Sequence, residues 1–390
     1  MTTEKISIKV GIPVEGNDFY GRERELQYAW DYHILKGVSL LLSAPRRVGK
    51  SSFSKRMLKR AEENGWKTLY LDLQGIGTEN AFVKLFKEEL KSAKWWNKTG
   101  DVILKIFDSI KESKVAGNNI IIDSDLWRND TYGKMMQLIE KSGELLIVMD
   151  ELTIYLYRLL KQENGKEKVE FFLEWLRKFR QMQGTKVRWI FCSSVGIENF
   201  ISMHQLSKHL NDVHPFTVGA FSEDEGKDFI SRLEVDARVQ FTEDHIQYIL
   251  DRLAWHLPFF IQLLVEKINF LICVEDKQLS KGAIDEAYDR LLIENKNQFS
   301  TWDERLQYYD EFEKDARNVL KLCVFPDGGS KRHLLASLSA KKDDTEKVAS
   351  DLAKLLKMLE NDGYLIENDG KYIFRSPLLR DFWRNNVIIA

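Results

Sequence analysis

The chain has 390 residues, 44% of them hydrophobic, enough for two or three packed domains. A formal net charge of −2 excludes the global basic field of a protein that coats nucleic acid, and the three cysteines (Cys192, Cys273 and Cys323) are too scattered for a zinc site or a disulfide framework. No apolar run reaches the length of a membrane span, and the opening MTTEKISIKV carries no signal-like stretch, so a cytoplasmic protein with no membrane partner is expected.

In chain order, VSLLLS (38–43) reads as a strand buried on both faces. SSFSKRMLKRAEENG (51–65) follows as a helix with Phe53, Met57 and Ala61 on one side and Gly65 at its end. KTLYLDL (67–73) reads as a second buried strand, and 81–94 and 101–112 as helices. GELLIVMDE (143–151) is a third strand. VEFFLEWLRKFRQM (169–182) is an amphipathic helix with Phe172, Leu173, Leu176 and Phe179 on its apolar face. VRWIFCSS (187–194) is a fourth strand, and PFTVGAF (215–221) a short fifth. Alternating strands and helices predict an α/β parallel sheet covered on both faces.

Beyond 221 the texture changes. Ser222 with Glu225 three residues on forms a capping box, and helical patterns continue to about 296. ENKNQFSTWDE (294–304) reads as a polar linker. Helices near 311–323, 331–338 and 345–361 precede GYLIENDGKYIF (363–374), a hairpin turning at Asn368-Asp369-Gly370. Three helices and a two-stranded wing make a winged-helix pattern. The expected units are 1–220, 221–296 and 297–390.

The chemistry concentrates in the loop after the first strand, where Ala44, Pro45, Arg46, Arg47, Val48, Gly49, Lys50, Ser51 and Ser52 spell a variant of G-x-x-x-x-G-K-[ST]. Backbone N–H groups of such a loop surround a phosphate, Lys50 reaches the β and γ oxygens, and the Ser51 hydroxyl binds Mg2+. Ala44 replaces the first glycine and adds one methyl group, tolerable at negative φ; Pro45 stiffens the turn. The third strand ends in Asp150, placed to hold Mg2+ through water, and Glu151, placed as general base for the attacking water. Ser193 and Ser194 end the fourth strand, as a polar contact to that water or as an ordinary serine turn. Tyr20, Gly21 and Arg22 in FYGRERE precede the loop strand as an adenine clamp or as a solvated charge run. Trp95, Trp96 and Trp127 read as anchors of extra helices or as a partner contact. Asp123 and Asp125 have metal-like spacing that a turn explains equally.

The stretches FYGREREL, SAPRRVGKSS, LLIVMDE, IFCSS, HLPFFIQLL (256–264) and DGYLIENDGKYIFRSPLLRDFW (362–383) resemble the archaeal and prokaryotic P-loop ATPase family, near AAA+ and STAND NTPases. The resemblance implies an additional-strand P-loop core, a helical lid and a C-terminal winged helix. It implies ATP, ADP and Mg2+ as ligands. Lys50, Glu151 and Ser194 fall on catalytic positions, Ser51 and Asp150 on metal contacts, Gly21 and Arg22 on the adenine side, and Pro258 on the lid segment facing the nucleotide. The departures are Ala44 for glycine, His256 for the glycine two residues before Pro258, and no arginine in LSKHLNDVHPF (206–216). Arg46, Arg47 and Arg188 are the candidates for an arginine finger, and such fingers often come from a second copy in an oligomer.

Residues 311–390 hold 14 Lys and Arg against 13 Asp and Glu, which does not favour DNA. The expected function is ATP hydrolysis by a nucleotide-controlled switch that signals through its winged helix to a protein partner. The alternative is an ATP-dependent DNA-binding protein.

Overall fold

A computed structural model describes residues 5–93, 95, 124–140, 142–340 and 344–388. The helix expected over 101–112, with Trp96 and Asp123, lies outside the described residues, as do the side chains of Asp125 and Trp127.

Five strands form the central sheet: β1 (Leu40–Ser43), β2 (Lys67–Asp72), β3 (Leu145–Asp150), β4 (Val187–Ser193) and β5 (His214–Pro215). Their order is β2-β3-β4-β1-β5, and every pair is parallel. Side chains alternate across the pleat, so Leu40, Leu42, Val148 and Ile190 enter one core while Leu41, Ile147, Met149 and Phe191 enter the other. That explains the continuous apolar runs: a strand covered on both faces has no polar side. β2 is the exception to the expected buried strands. It lies at the sheet edge with only Leu69 and Leu71 buried, and Trp95 Nε1 donates to its Thr68 O at 2.9 Å. β5 is shorter than expected because only His214 and Pro215 pair with β1.

Helices Glu223–Arg232, Glu243–Leu253, Pro258–Cys273 and Lys281–Glu294 form the all-helical unit, the first opened by the capping box of Ser222 and Glu225. Residues 294–304 are not a linker. Helix Lys296–Arg305 forms there because Phe299 and Trp302 lie on one face and are fully buried, a tertiary gain that outweighs the polar composition.

Helices Glu313–Cys323, Lys331–Ser339 and Thr345–Asn361 then build the winged helix. Its wing is β7 (Leu365–Asn368) and β8 (Lys371–Phe374), turning at Asp369 and Gly370, both at positive φ as a tight hairpin turn requires. A third short strand, β6 (Gly329–Ser330), pairs with β8 and makes the wing three-stranded. Two residues were too few to leave a pattern in the sequence. Among the described residues no helix is long and apolar enough to cross a membrane.

One apolar core runs without a break from the sheet face carrying Leu40 and Leu42, through Phe260 and Leu264 of the helical unit, to Leu355 and Trp383. The C-terminal unit is therefore packed on the rest of the chain. At that junction the Asp362 carboxylate accepts hydrogen bonds from Gly196 N and the Tyr309 hydroxyl, both at 2.8 Å. Burial pushes Asp362 up to about 6, and those two bonds oppose the rise. An unfolded aspartate titrates near about 4. As pH falls from 7 the folded form therefore takes up its proton first, and the stability so gained is lost again as pH rises through 6. Asp362→Asn should remove on the order of 2 kcal/mol of pH dependence between about pH 4 and 7, read from urea denaturation across that range. An unchanged pH profile would show that Asp362 titrates normally.

Candidate functional site

The loop from β1 turns sharply into helix Lys50–Glu63. Arg47 (φ 70) and Gly49 (φ 97) both take left-handed conformations, the geometry that gathers backbone N–H groups into an anion-binding concavity. The first N–H groups and the positive end of the helix dipole point at the same place. Arg47 carries a Cβ at a positive φ where glycine would be unstrained. It is held there by donating to Gly11 O at 3.0 Å and by lying 4.3 Å over the Phe259 ring. Ala44 takes a negative φ, so its methyl group causes no backbone strain.

Lys50 is 6% exposed, and its Nζ donates to Ala44 O at 2.6 Å and Pro45 O at 2.8 Å. Burial, partly offset by Glu151, pushes its ammonium down to about 8. Arg46 is likewise pushed down to about 10, by burial and then by Arg305 and Arg47. Each of these cations gains from an anion brought among them.

The acidic end lies one strand away, because β4 separates β1 from β3. The Ser51 hydroxyl and the Tyr70 hydroxyl each donate to Asp150 Oδ2 at 2.6 Å. Asp150 is raised by burial against those two bonds. A hydroxyl and a carboxylate in contact are hard oxygen donors that fit Mg2+, which keeps few protein ligands and completes its shell from phosphate and water. Among the described residues no group of three or more His, Cys, Asp and Glu stands together as a metal site.

Glu151 follows at φ 58. Ser194 Oγ donates to its carboxylate, at 2.5 Å to Oε1, and Ser194 N donates to Oε2 at 3.3 Å. Arg305, 9% exposed, donates to Ser194 Oγ and places Nη2 3.4 Å from Glu151 Oε1. Burial works to raise the Glu151 carboxyl, but Arg305, Lys50 and the Ser194 bonds together leave it below its ordinary value. The sequence offered no signal for Arg305, which lies one residue past the apparent linker 294–304. Once that segment is helical, the arginine closing it is the residue to inspect.

These groups line a cavity of about 250 Å³ whose other end is apolar. Phe19, Tyr20, Phe221, Phe229 and Phe259 form that end, with Pro258 and the 11–14 segment. The segment is strapped at both sides: Lys9 N donates to Gln262 Oε1 at 2.7 Å, and Val14 N to Ser52 Oγ at 3.0 Å. This wall was not read from the sequence, since GIPV has no motif. A polyanionic end and a flat apolar end suit a nucleoside polyphosphate.

The expected site residues divide accordingly. Arg46, Arg47, Val48, Gly49, Lys50, Ser51, Ser52, Asp150, Glu151, Ser194, Tyr20, Arg22 and Pro258 all line the cavity. Gly21, Ala44 and Pro45 do not. Tyr20 gives its hydroxyl to Asp228 Oδ2 at 2.6 Å and packs on Phe221 and Phe229. Arg22 acts as a brace, donating to Val48 O at 3.1 Å and Gly219 O at 2.6 Å. Ser193 turns away to Val195 O and Thr153. Arg188 does not reach the cavity of its own chain: it sits at the far end of β4, bonded to Thr185 O and Val187 O.

Neither a protein-family model nor a curated protein matches the chain. Among solved structures it is similar to a Walker-type ATPase of Pyrococcus abyssi, at 17% identity over 97% of this chain and 99% of that one, with TM-score 0.62. It is also similar to the Aeropyrum pernix ORC2 protein described as ADPNP–ADP complexes, at 11% identity over 96% and 95% of the two chains, with TM-score 0.52. Likeness at these identities is one of fold. The fold is the additional-strand P-loop α/β core with a helical lid and a C-terminal winged helix.

Arg22→Met should cost about 2–3 kcal/mol in chemical denaturation, because a buried guanidinium leaves two carbonyls unpaired. A variant as stable as the parent would remove Arg22 from the bracing of the phosphate loop.

Proposed function

We propose that the protein binds ATP with Mg2+ in this cavity, hydrolyses it slowly, and works as a nucleotide-controlled switch whose winged helix passes the state of the site to a protein partner. The observation that carries the reading is the set of contacts from the C-terminal unit to the hydrolysis end of the cavity. Arg305 reaches Glu151 and Ser194, Asp362 caps Gly196, and Gly363 lies against Pro45 of the phosphate loop. A Cβ on Gly363 would stand 2.7 Å from Pro45 Cγ, so that approach is possible only for glycine.

In this reading the loop amides, Lys50, Arg46 and Arg47 hold the phosphates, and the aromatic end holds the base. The nucleotides named for the Aeropyrum pernix ORC2 protein support an adenine nucleotide. Ser51 and Asp150 would hold a magnesium ion, which would supply positive charge against the phosphates. Glu151 accepts a proton from the attacking water, and Ser194 orients that water or the γ-phosphate. The near balance of charge over 311–390 supports a protein rather than DNA as partner.

Lys50→Ala should abolish ATP turnover and weaken binding. Glu151→Gln should keep binding and lower turnover by about 10²–10⁴-fold, the ordinary worth of a general base. Turnover is measured by phosphate release with and without duplex DNA. Full activity in Glu151→Gln would remove the base assignment, and strong stimulation by DNA would replace the protein partner with a nucleic acid.

A further inference from the structure

We propose that Arg305 restrains the hydrolysis centre, holding Glu151 and Ser194 in a closed set of hydrogen bonds that a bound triphosphate must break. The inference rests on the ATPase reading above and concerns the regulation of that same site.

The argument begins with donors. A serine hydroxyl has one proton. The Ser194 proton goes to Glu151, at 2.5 Å from Oε1, while its oxygen accepts from Arg305 Nη1. Ser194 therefore has no second proton for a phosphate oxygen or a water molecule. Glu151 accepts from Ser194 N as well and lies 3.4 Å from Arg305 Nη2, so its two oxygens are engaged by the same pair of residues. For Ser194 to give its proton to a phosphate oxygen or to the attacking water, this set has to open.

The cavity wall adds the second observation. Glu151 and Ser194 line it and Arg305 does not, so Arg305 acts through them. Its position is set by the C-terminal side of the chain. It is the last residue of helix Lys296–Arg305, whose Phe299 and Trp302 are buried. Trp302 O accepts from the Tyr364 hydroxyl at 2.6 Å, and Tyr309, four residues beyond Arg305, donates to Asp362. Asp362 and Gly363 press on the same corner at Gly196 and Pro45. The guanidinium is thus carried by a unit docked at several points, and it cannot leave Glu151 without moving against that packing.

A γ-phosphate entering beside Glu151 brings like charge to the carboxylate and a competing acceptor for the Ser194 proton. Its binding energy therefore differs between the closed and open sets, which is the requirement for a ligand to shift the equilibrium. A diphosphate lacks that group. The restraint then makes the docking of the C-terminal unit sensitive to the third phosphate.

The test uses the full chain and two readouts. Arg305→Ala, checked for folding by circular dichroism, should raise kcat for ATP by at least about fivefold, the lower end of ordinary coupling factors. KM for ATP should fall as well, since the triphosphate no longer has to open the set, while affinity for ADP should stay within about twofold. Arg305→Lys, which keeps a charge but not the fork, should fall between the two. In the parent protein, ADPNP with Mg2+ should speed amide hydrogen exchange in helix Lys296–Arg305 and ADP should not, while Arg305→Ala should exchange fast with either. Where the parent turns ATP over, a folded Arg305→Ala with equal or lower kcat overturns the restraint, and so does exchange that does not respond to ADPNP. Exchange that responds while neither protein hydrolyses ATP keeps the restraint and overturns the ATPase reading instead.

Discussion

Lys50, Arg305 and Asp150 are buried in one corner of this molecule with Arg46, Arg47 and Glu151 half-buried around them, and each sign of charge offsets the burial cost of the other. Lys50, Arg46, Arg47 and Arg305 stand around Asp150 and Glu151 at the carboxyl ends of β1, β3 and β4. A lone buried ion of either sign costs several kcal/mol, and the cost falls only when partners and hydrogen bonds are in place. The corner is therefore a constraint on everything around it. The strand order has to bring the phosphate loop and the acidic strand within one strand of each other, and the C-terminal side of the chain has to supply an arginine. The surplus of positive charge is what a polyphosphate would neutralise.

The packing around the corner follows from that need. β4 lies between β1 and β3, so its Ser194 falls between Lys50 and Glu151. The helical lid contributes Pro258 and Phe259 to the cavity, and Gln262 of the same helix ties down the strap that closes the opposite wall. The C-terminal side of the chain touches the Glu151 end of the cavity through a helix end, a capping carboxylate and a glycine. Such a junction transmits a small change well, because a close-packed interface has discrete arrangements and little slack.

Sequence reading was strongest where a local pattern and a chemical motif coincided. The apolar runs at 38–43 and 143–151 gave strands buried on both faces, and the GKS ending gave a helix start. The acids closing the third strand pointed to a metal and a base. It was weaker where the decisive contact was distant. GIPV at 11–14 has no periodicity, yet it walls the cavity because Lys9 and Val14 bond to groups far along the chain. The stretch 294–304 is polar by composition and helical in fact, because Phe299 and Trp302 find a core made by other segments. Arg188 and Arg305 are both arginines near apolar residues, and only the fold puts Arg305 beside Glu151 and leaves Arg188 at the opposite end of β4.

The sequence by itself determined the class of the core, the phosphate loop, the acidic strand end and the winged-helix hairpin. Each of these rests on spacing within a few residues, where backbone geometry and side-chain type suffice. The tertiary structure alone decided the order of the strands, the apolar wall at 11–14, the bracing role of Arg22 and the presence of Arg305 beside Glu151. Those depend on which buried surfaces meet across long separations in the chain, and burial energy is indifferent to sequence distance.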